Sequence, residues 1–271
     1  MHKKWPCQIL IGLSLMTVTL QPTLLSSHTF LTALTAQAAT IYSTVSDYQK
    51  ITYTIDHSKN TASVSSYFGP SGAQIIIPAT INENENRYPV IEIGTSAFLN
   101  SGISSVVIGD NVTAINTSAF QTTTNAPNFY KSALKEVQFG INVQSIKTDA
   151  FAGNALREVQ FPSALTRIGT RAFANNFLKQ VNFEVNLQEI CAKAFQSNTL
   201  ESIYFSDEAN TLIDSMAFSG SPIKDIHLGQ GVTWVDDAIN KISPLFTQLS
   251  DLPSSGIRTI YRRDDGTIFK S

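Results

Sequence analysis

From Ile103 onward, a run with apolar residues at positions one, four and six returns six times. The runs are Ile103-Val106-Ile108, Leu134-Val137-Phe139, Leu156-Val159-Phe161, Leu178-Val181-Phe183, Leu200-Ile203-Phe205 and Ile223-Ile226-Leu228. Positions four and six alternate as in a β-strand, which predicts that they face a core while positions three and five face outward. A second apolar pair follows each run: Val112-Ile115, Val143-Ile146, Leu165-Ile168, Leu187-Ile190 and Val232-Val235, with Leu212-Ile213 a looser version. This pair is expected to close the same core from the opposite wall.

An Ala-Phe step then completes each unit, at Phe98, Phe120, Phe151, Phe173, Phe195 and Phe218, with intervals of 22, 31, 22, 22 and 23 residues. The small residue lets backbones approach, and the ring is expected to stack on its equivalent one unit away. Such a period is too short for a domain and has the length of one coil of a solenoid, whose coils bury their apolar faces against one another. Turns such as Ala152-Gly153-Asn154 and Ala174-Asn175-Asn176 are expected to reverse the chain, because Gly and Asn tolerate positive φ. The 31-residue interval carries an insertion around Thr122 to Ser132 that includes Asn128, Phe129 and Tyr130.

Strand, apolar pair and Ile-Gly-Thr-x-Ala-Phe, as in Ile168-Gly169-Thr170-Arg171-Ala172-Phe173, followed by an Asn/Gly turn, resemble the BspA-type leucine-rich repeats of bacterial surface and secreted proteins. Upstream, Ala62 to Tyr67, Ile75-Ile76-Ile77-Pro78 and Tyr88 to Gly94 look like that family's entry unit, so the resemblance covers residues 62 to 235. It implies an α/β-type repeat solenoid of short parallel strands and a bias toward binding rather than catalysis. The unit after Val235 departs from the pattern by losing the Ala-Phe pair.

The ends of such an array need caps. Ile51 to Ile55 and Ala62 to Tyr67 flank a polar His57-Ser58-Lys59-Asn60 turn and read as a hairpin N-cap within residues 39–72. The solenoid then spans 73–235, and 236–271 form a C-terminal cap. Within that cap Ile239, Ile242, Leu245, Phe246 and Leu249 have helical spacing, a last strand is expected at Ile257 to Tyr261, and Asp264-Asp265-Gly266 reads as a hairpin turn. Residues 1–38 read as a signal peptide: Lys3 and Lys4, an apolar stretch from Ile9 to Leu20, and Ala36-Gln37-Ala38 ahead of the first acidic residue, Asp47.

The formal charge is −2; removing Lys3 and Lys4 with the leader takes away two positive charges and no acid, leaving −4. A mildly acidic chain without a basic block argues against nucleic acid as a partner. No apolar stretch long enough for an integral span is expected after cleavage. The mature chain keeps one cysteine, Cys191, so no internal disulfide is available. Cys191 takes the place held by Gly169, Asn116 and Lys147 in other coils and is expected to be partly exposed. Only His57 and His227 remain, far apart in sequence and expected on the solvated surface. This argues against a metal site or a histidine-based catalytic centre, and no cofactor motif is present. The chain is therefore read as a non-enzyme.

Recognition is expected on the outward strand positions, which form columns across the wall because neighbouring strands lie about 4.8 Å apart. Position two reads Ser104, Lys135, Arg157, Lys179, Glu201, Lys224, and position five reads Val107, Gln138, Gln160, Asn182, Tyr204, His227. Lys135, Arg157 and Lys179 beside Glu136 and Glu158 would set rows of opposite charge on one continuous face, with Tyr204 and Arg157 as anchors and His227 at its end. Phe129 and Tyr130 of the insertion form a second candidate. The reading is a secreted or cell-surface repeat protein that binds a protein or glycan, with adhesion to host components as one form of that role. The alternative is a structural protein attached to the producer's own wall or to a sister protein.

Overall fold

The computed structural model describes residues 42–123 and 134–234, together with the backbone of 258–262 and 268–270. Its strands are Tyr42–Ser46 (β1), Ile51–Asp56 (β2), Thr61–Tyr67 (β3), Gln74–Ile77 (β4), Thr80–Glu83 (β5), Asn86–Ile93 (β6), Ser105–Ile108 (β7), Ala114–Ile115 (β8), Glu136–Gln138 (β9) and Ser145–Ile146 (β10). They continue with Arg167–Ile168 (β11), Gln180–Phe183 (β12), Glu189–Ile190 (β13), Ser202–Phe205 (β14), Leu212–Ile213 (β15), Asp225–Leu228 (β16), Thr233–Trp234 (β17), Arg258–Arg262 (β18) and Ile268–Lys270 (β19).

Each coil contributes one strand to each of two walls, except that residues 157–161 form no strand in the first. The first wall holds the position-four and position-six residues, in the ladders β4-β7-β9 and β12-β14-β16. The second holds the apolar pairs, paired in parallel in the order β6-β8-β10-β11-β13-β15-β17. Ile115, Ile146, Ile168 and Ile190 are register partners across it and fully buried. At the amino end β1, β2 and β3 pair antiparallel, and β3 joins β6 in parallel, so the hairpin covers the first coil. At the other end β18 pairs antiparallel with β16, and β19 with β18. The strand expected from residue 257 is thus found at Arg258–Arg262, and its neighbours flank the expected turn at 264–266. That turn, the expected helical cap at 239–249 and the leader lie outside the described residues.

The Ala-Phe steps stack as their spacing implies. The rings of Phe98, Phe120, Phe151, Phe173, Phe195 and Phe218 follow one another at centroid distances of 4.8, 5.0, 5.2, 5.4 and 5.3 Å, with interplanar angles of 11° or less. The residue before Ala is of five chemical types over six coils, yet Ser96, Ser118, Asp149, Arg171, Lys193 and Met216 all have φ between 54° and 60°. The left-handed turn at this point is imposed by the coil rather than chosen by the side chain.

The Asn/Gly turns need a correction. Gly153 and Asn175 do take positive φ, at 73° and 56°. Asn154 and Asn176, with Asn198 one coil on, are instead buried hydrogen-bonding residues. In each, Oδ1 accepts from the amide that opens the preceding strand run: Leu134 onto Asn154, Leu156 onto Asn176 and Leu178 onto Asn198, at 3.0–3.1 Å. Nδ2 donates to the Phe carbonyl of its own coil and to that of the coil before, at 2.7–3.1 Å. These asparagines satisfy main-chain groups that the core would otherwise leave unpaired.

Candidate functional site

The outward face of the strand wall is not continuous, contrary to expectation. The segment from Arg157 to Phe161 forms no ladder with β9 or β12, although the run opens in register: Ala155 N–H donates to Leu134 O and Phe177 N–H to Leu156 O. Across this gap the ring centroids of Phe139 and Phe161 stand 6.2 Å apart and those of Phe161 and Phe183 5.6 Å apart. Val159 and Phe161 are only partly buried.

Lys135 and Glu136 therefore lie on the amino-terminal ladder, Lys179 at the start of the carboxyl-terminal one, and Arg157 and Glu158 in the gap; all five are exposed. Among the described residues none of the five forms an ion pair with another. The Arg157 guanidinium lies over the ring of Phe177 instead, 5.9 Å from its centroid. In the same column Glu201 pairs with Lys224 at 2.9 Å, and that hydrogen bond and charge hold the Glu201 carboxyl below its usual range.

Tyr204 and His227 are brought together. They are register partners on β14 and β16, with centroids 4.6 Å apart and planes within 11°. Tyr204 is 46% exposed. His227 Nε2 lies 2.6 Å from Asp207 Oδ1. A hollow of about 550 Å³ beside this pair is lined by Asn182, Glu184, Ser202 and Asp225 among others. Phe129 and Tyr130 lie outside the described residues.

At the other end of the wall the sequence reading missed an apolar patch. Ile76 and Val107 are register partners and 55% and 37% exposed. The side-chain amide of Gln49 accepts from Ile76 N–H and donates to Ile76 O, which places the segment carrying exposed Tyr48 beside them. Alternation within Ile75-Ile76-Ile77 was the available signal, since the middle residue of a buried strand must point out.

Neither histidine is freely solvated. His57 Nε2 lies 2.9 Å from Ser43 Oγ and 3.5 Å from Glu83 Oε2, while Nδ1 lies 3.2 Å from the Tyr88 hydroxyl. Serine and carboxylate address the same ring nitrogen, so the cluster lacks the serine-imidazole-acid order of a nucleophilic relay. Cys191 is also corrected. It is 3% exposed, Arg167 Nη2 donates to its sulfur at 3.0 Å, and burial first, then the Glu189 charge, push its thiol up to about 11. In the same column Asn116 and Gly169 are buried too, while Lys147 is exposed. Among the described residues no group of three or more His, Cys, Asp or Glu could hold a metal, and no helix is long and apolar enough to cross a membrane.

A family model described as the BspA type leucine rich repeat region matches residues 49–127 and 122–244, in six copies. Among solved structures, a leucine-rich repeat protein from Bacteroides ovatus is 19% identical with a TM-score of 0.50, over 66% of this chain and 57% of that one. A leucine rich cell surface protein from Faecalibacterium prausnitzii is 19% identical with a TM-score of 0.50, over 83% of this chain and 60% of that one. The chain thus spans less than two thirds of either protein, and at this identity the likeness concerns the fold alone. No curated protein sequence matches.

Proposed function

Because the chain belongs to the BspA-type leucine-rich repeat proteins, we propose that it is an exported, non-enzymatic binding protein that holds a protein partner, or a glycan, on the outer side of its strand wall. The observation that carries this reading is the Tyr204-His227 stack. A partly exposed aromatic pair beside a hollow of about 550 Å³, fixed by strand register rather than by a loop, is a preorganised contact point. Lys135, Glu136, Arg157, Glu158 and Lys179 extend the same side as a polar rim.

Export follows in this reading from cleavage of residues 1–38, leaving a cap at 39–72, the solenoid at 73–235 and a closing cap at 236–271. The cell-surface description of the Faecalibacterium prausnitzii protein supports a location outside the cell. Phe129 and Tyr130 supply a second contact from the insertion.

The test is saturable binding of the purified protein to a panel of extracellular-matrix and serum proteins and to the producer's own wall. Arg157→Glu combined with Tyr204→Ala should weaken binding at least tenfold, about 1.4 kcal/mol, with the circular dichroism spectrum unchanged. Unchanged affinity removes the strand wall from the reading.

A further inference from the structure

A second hollow lies away from the strand wall, at the closing turns of four successive coils. Its volume is about 580 Å³, within the range of about 300–1,000 Å³ typical of small-ligand sites. Its lining mixes polar side chains with a larger apolar area and is close to neutral. Arg171 and Asp149 are its charged residues among those described, and they cancel: Nε and Nη2 of Arg171 donate to the two carboxylate oxygens at 2.8 and 2.6 Å. Gln121, Asn175 and Ser197 also line it, and among the described residues their side chains form no hydrogen bond. Unpartnered amides and hydroxyls at the mouth of a hollow offer donors and acceptors at low cost, because no internal bond has to be broken to use them. One large apolar group completes the set, Phe177, 43% exposed and with the Arg157 guanidinium over one side of its ring.

We propose that this hollow binds a short neutral oligosaccharide. A pyranose carries hydroxyls around its rim and an apolar C–H face, which matches a rim of amides and hydroxyls around one exposed phenyl ring. An anionic or cationic ligand gains little from a charge pair that is already satisfied bidentately. An extended peptide would need a free strand edge to pair with, and the hollow is lined by residues outside the strands. None of the residues lining this hollow lines the one beside Tyr204 and His227, and the two surfaces meet only where Arg157 lies over Phe177.

The experiment is titration of the purified full chain, labelled with nitrogen-15, with chitobiose, cellobiose, maltotriose and N-acetyllactosamine, and with sialyllactose as an anionic comparison. Saturable binding at millimolar concentration or below is expected for at least one neutral sugar, with shifts at the side-chain amides of Gln121 and Asn175. Phe177→Ala and Gln121→Ala should each weaken it at least tenfold, and Tyr204→Ala should leave it unchanged. The proposal is overturned if no neutral sugar saturates, if only sialyllactose binds, if the shifts fall on Tyr204 and its neighbours, or if both Phe177→Ala and Gln121→Ala bind as tightly as the native chain. A tight partner lost in Tyr204→Ala but not in Phe177→Ala supports the strand-wall reading alone.

Discussion

Replacing the buried asparagines one at a time should produce an order of stabilities opposite to the one expected from centrality. Asn176 is the middle member and is 3% exposed. In Asn176→Ala the Leu156 N–H loses the Oδ1 that it donates to, and a buried unpaired N–H costs about 1–3 kcal/mol. The carbonyls of Phe151 and Phe173 lose one donor each but keep another, from Asn154 and Asn198 respectively. Each of those losses is a net hydrogen bond, about 0.5–1.5 kcal/mol and toward the lower end because the acceptor stays partnered. The total is about 3 kcal/mol.

Asn198→Ala differs at one atom. Phe195 O receives only Asn198 Nδ2, because Ser221 occupies the next place in the series and its buried hydroxyl makes no hydrogen bond. Two main-chain groups are then orphaned, and the cost rises to about 4–5 kcal/mol. Urea unfolding followed by circular dichroism, compared at equal slope, measures the difference. Asn176→Asp separates hydrogen bonding from volume: it keeps the shape and the acceptor but turns an oxygen toward two carbonyls, so it should be no better than Asn176→Ala at neutral pH. Conversely Ser221→Asn, which restores a donor for Phe195 O, should stabilise by about 1 kcal/mol. An Asn176→Ala cost below about 1 kcal/mol, or one exceeding that of Asn198→Ala, refutes the reasoning.

Two further outcomes follow from other positions. The Cys191 thiol is pushed from 9.0 up to about 11, so between those values the unfolded chain releases its proton and the folded chain keeps it. Stability is complete below pH 9 and falls as pH rises toward 11; Cys191→Ser should flatten the curve, and an identical decline in that variant sinks the assignment. Gln49 occupies both main-chain groups of Ile76 on the outer edge of β4. Gln49→Ala should expose that edge and give concentration-dependent self-association in analytical ultracentrifugation, whereas an unchanged monomer would show that the edge is protected by something else.

The repeat, the two walls and the phenyl stack were legible because burial imposes a strict periodicity, and apolar residues recurring in register have few alternatives. What escaped was polar or conformational. Asn154, Asn176 and Asn198 look like turn residues in isolation; their fixed place, three residues after Phe in three consecutive coils, was the signal. The left-handed residue before Ala carries none, since serine, aspartate, arginine, lysine and methionine all occupy it. Positions three and five do fall outward on strands in every coil except the one at 157–161, which forms no ladder. Spacing does not encode that.

The break at Arg157 to Phe161 bears on how the strand wall can work. Both flanking ladders are held by main-chain hydrogen bonds, while residues 157–161 form none among the described residues and are held by the packing of Val159 and Phe161, the coil's other wall and the bonds that open the run. Segments whose main-chain groups face solvent rather than a neighbour open locally at low cost. Arg157 and Glu158 therefore sit on the most adaptable part of the wall, and Tyr204 and His227 on a rigid part. A partner that meets both finds a fixed aromatic anchor and an adjustable charged contact. The anchor should control the rate of dissociation, and the charges should control association and its dependence on salt.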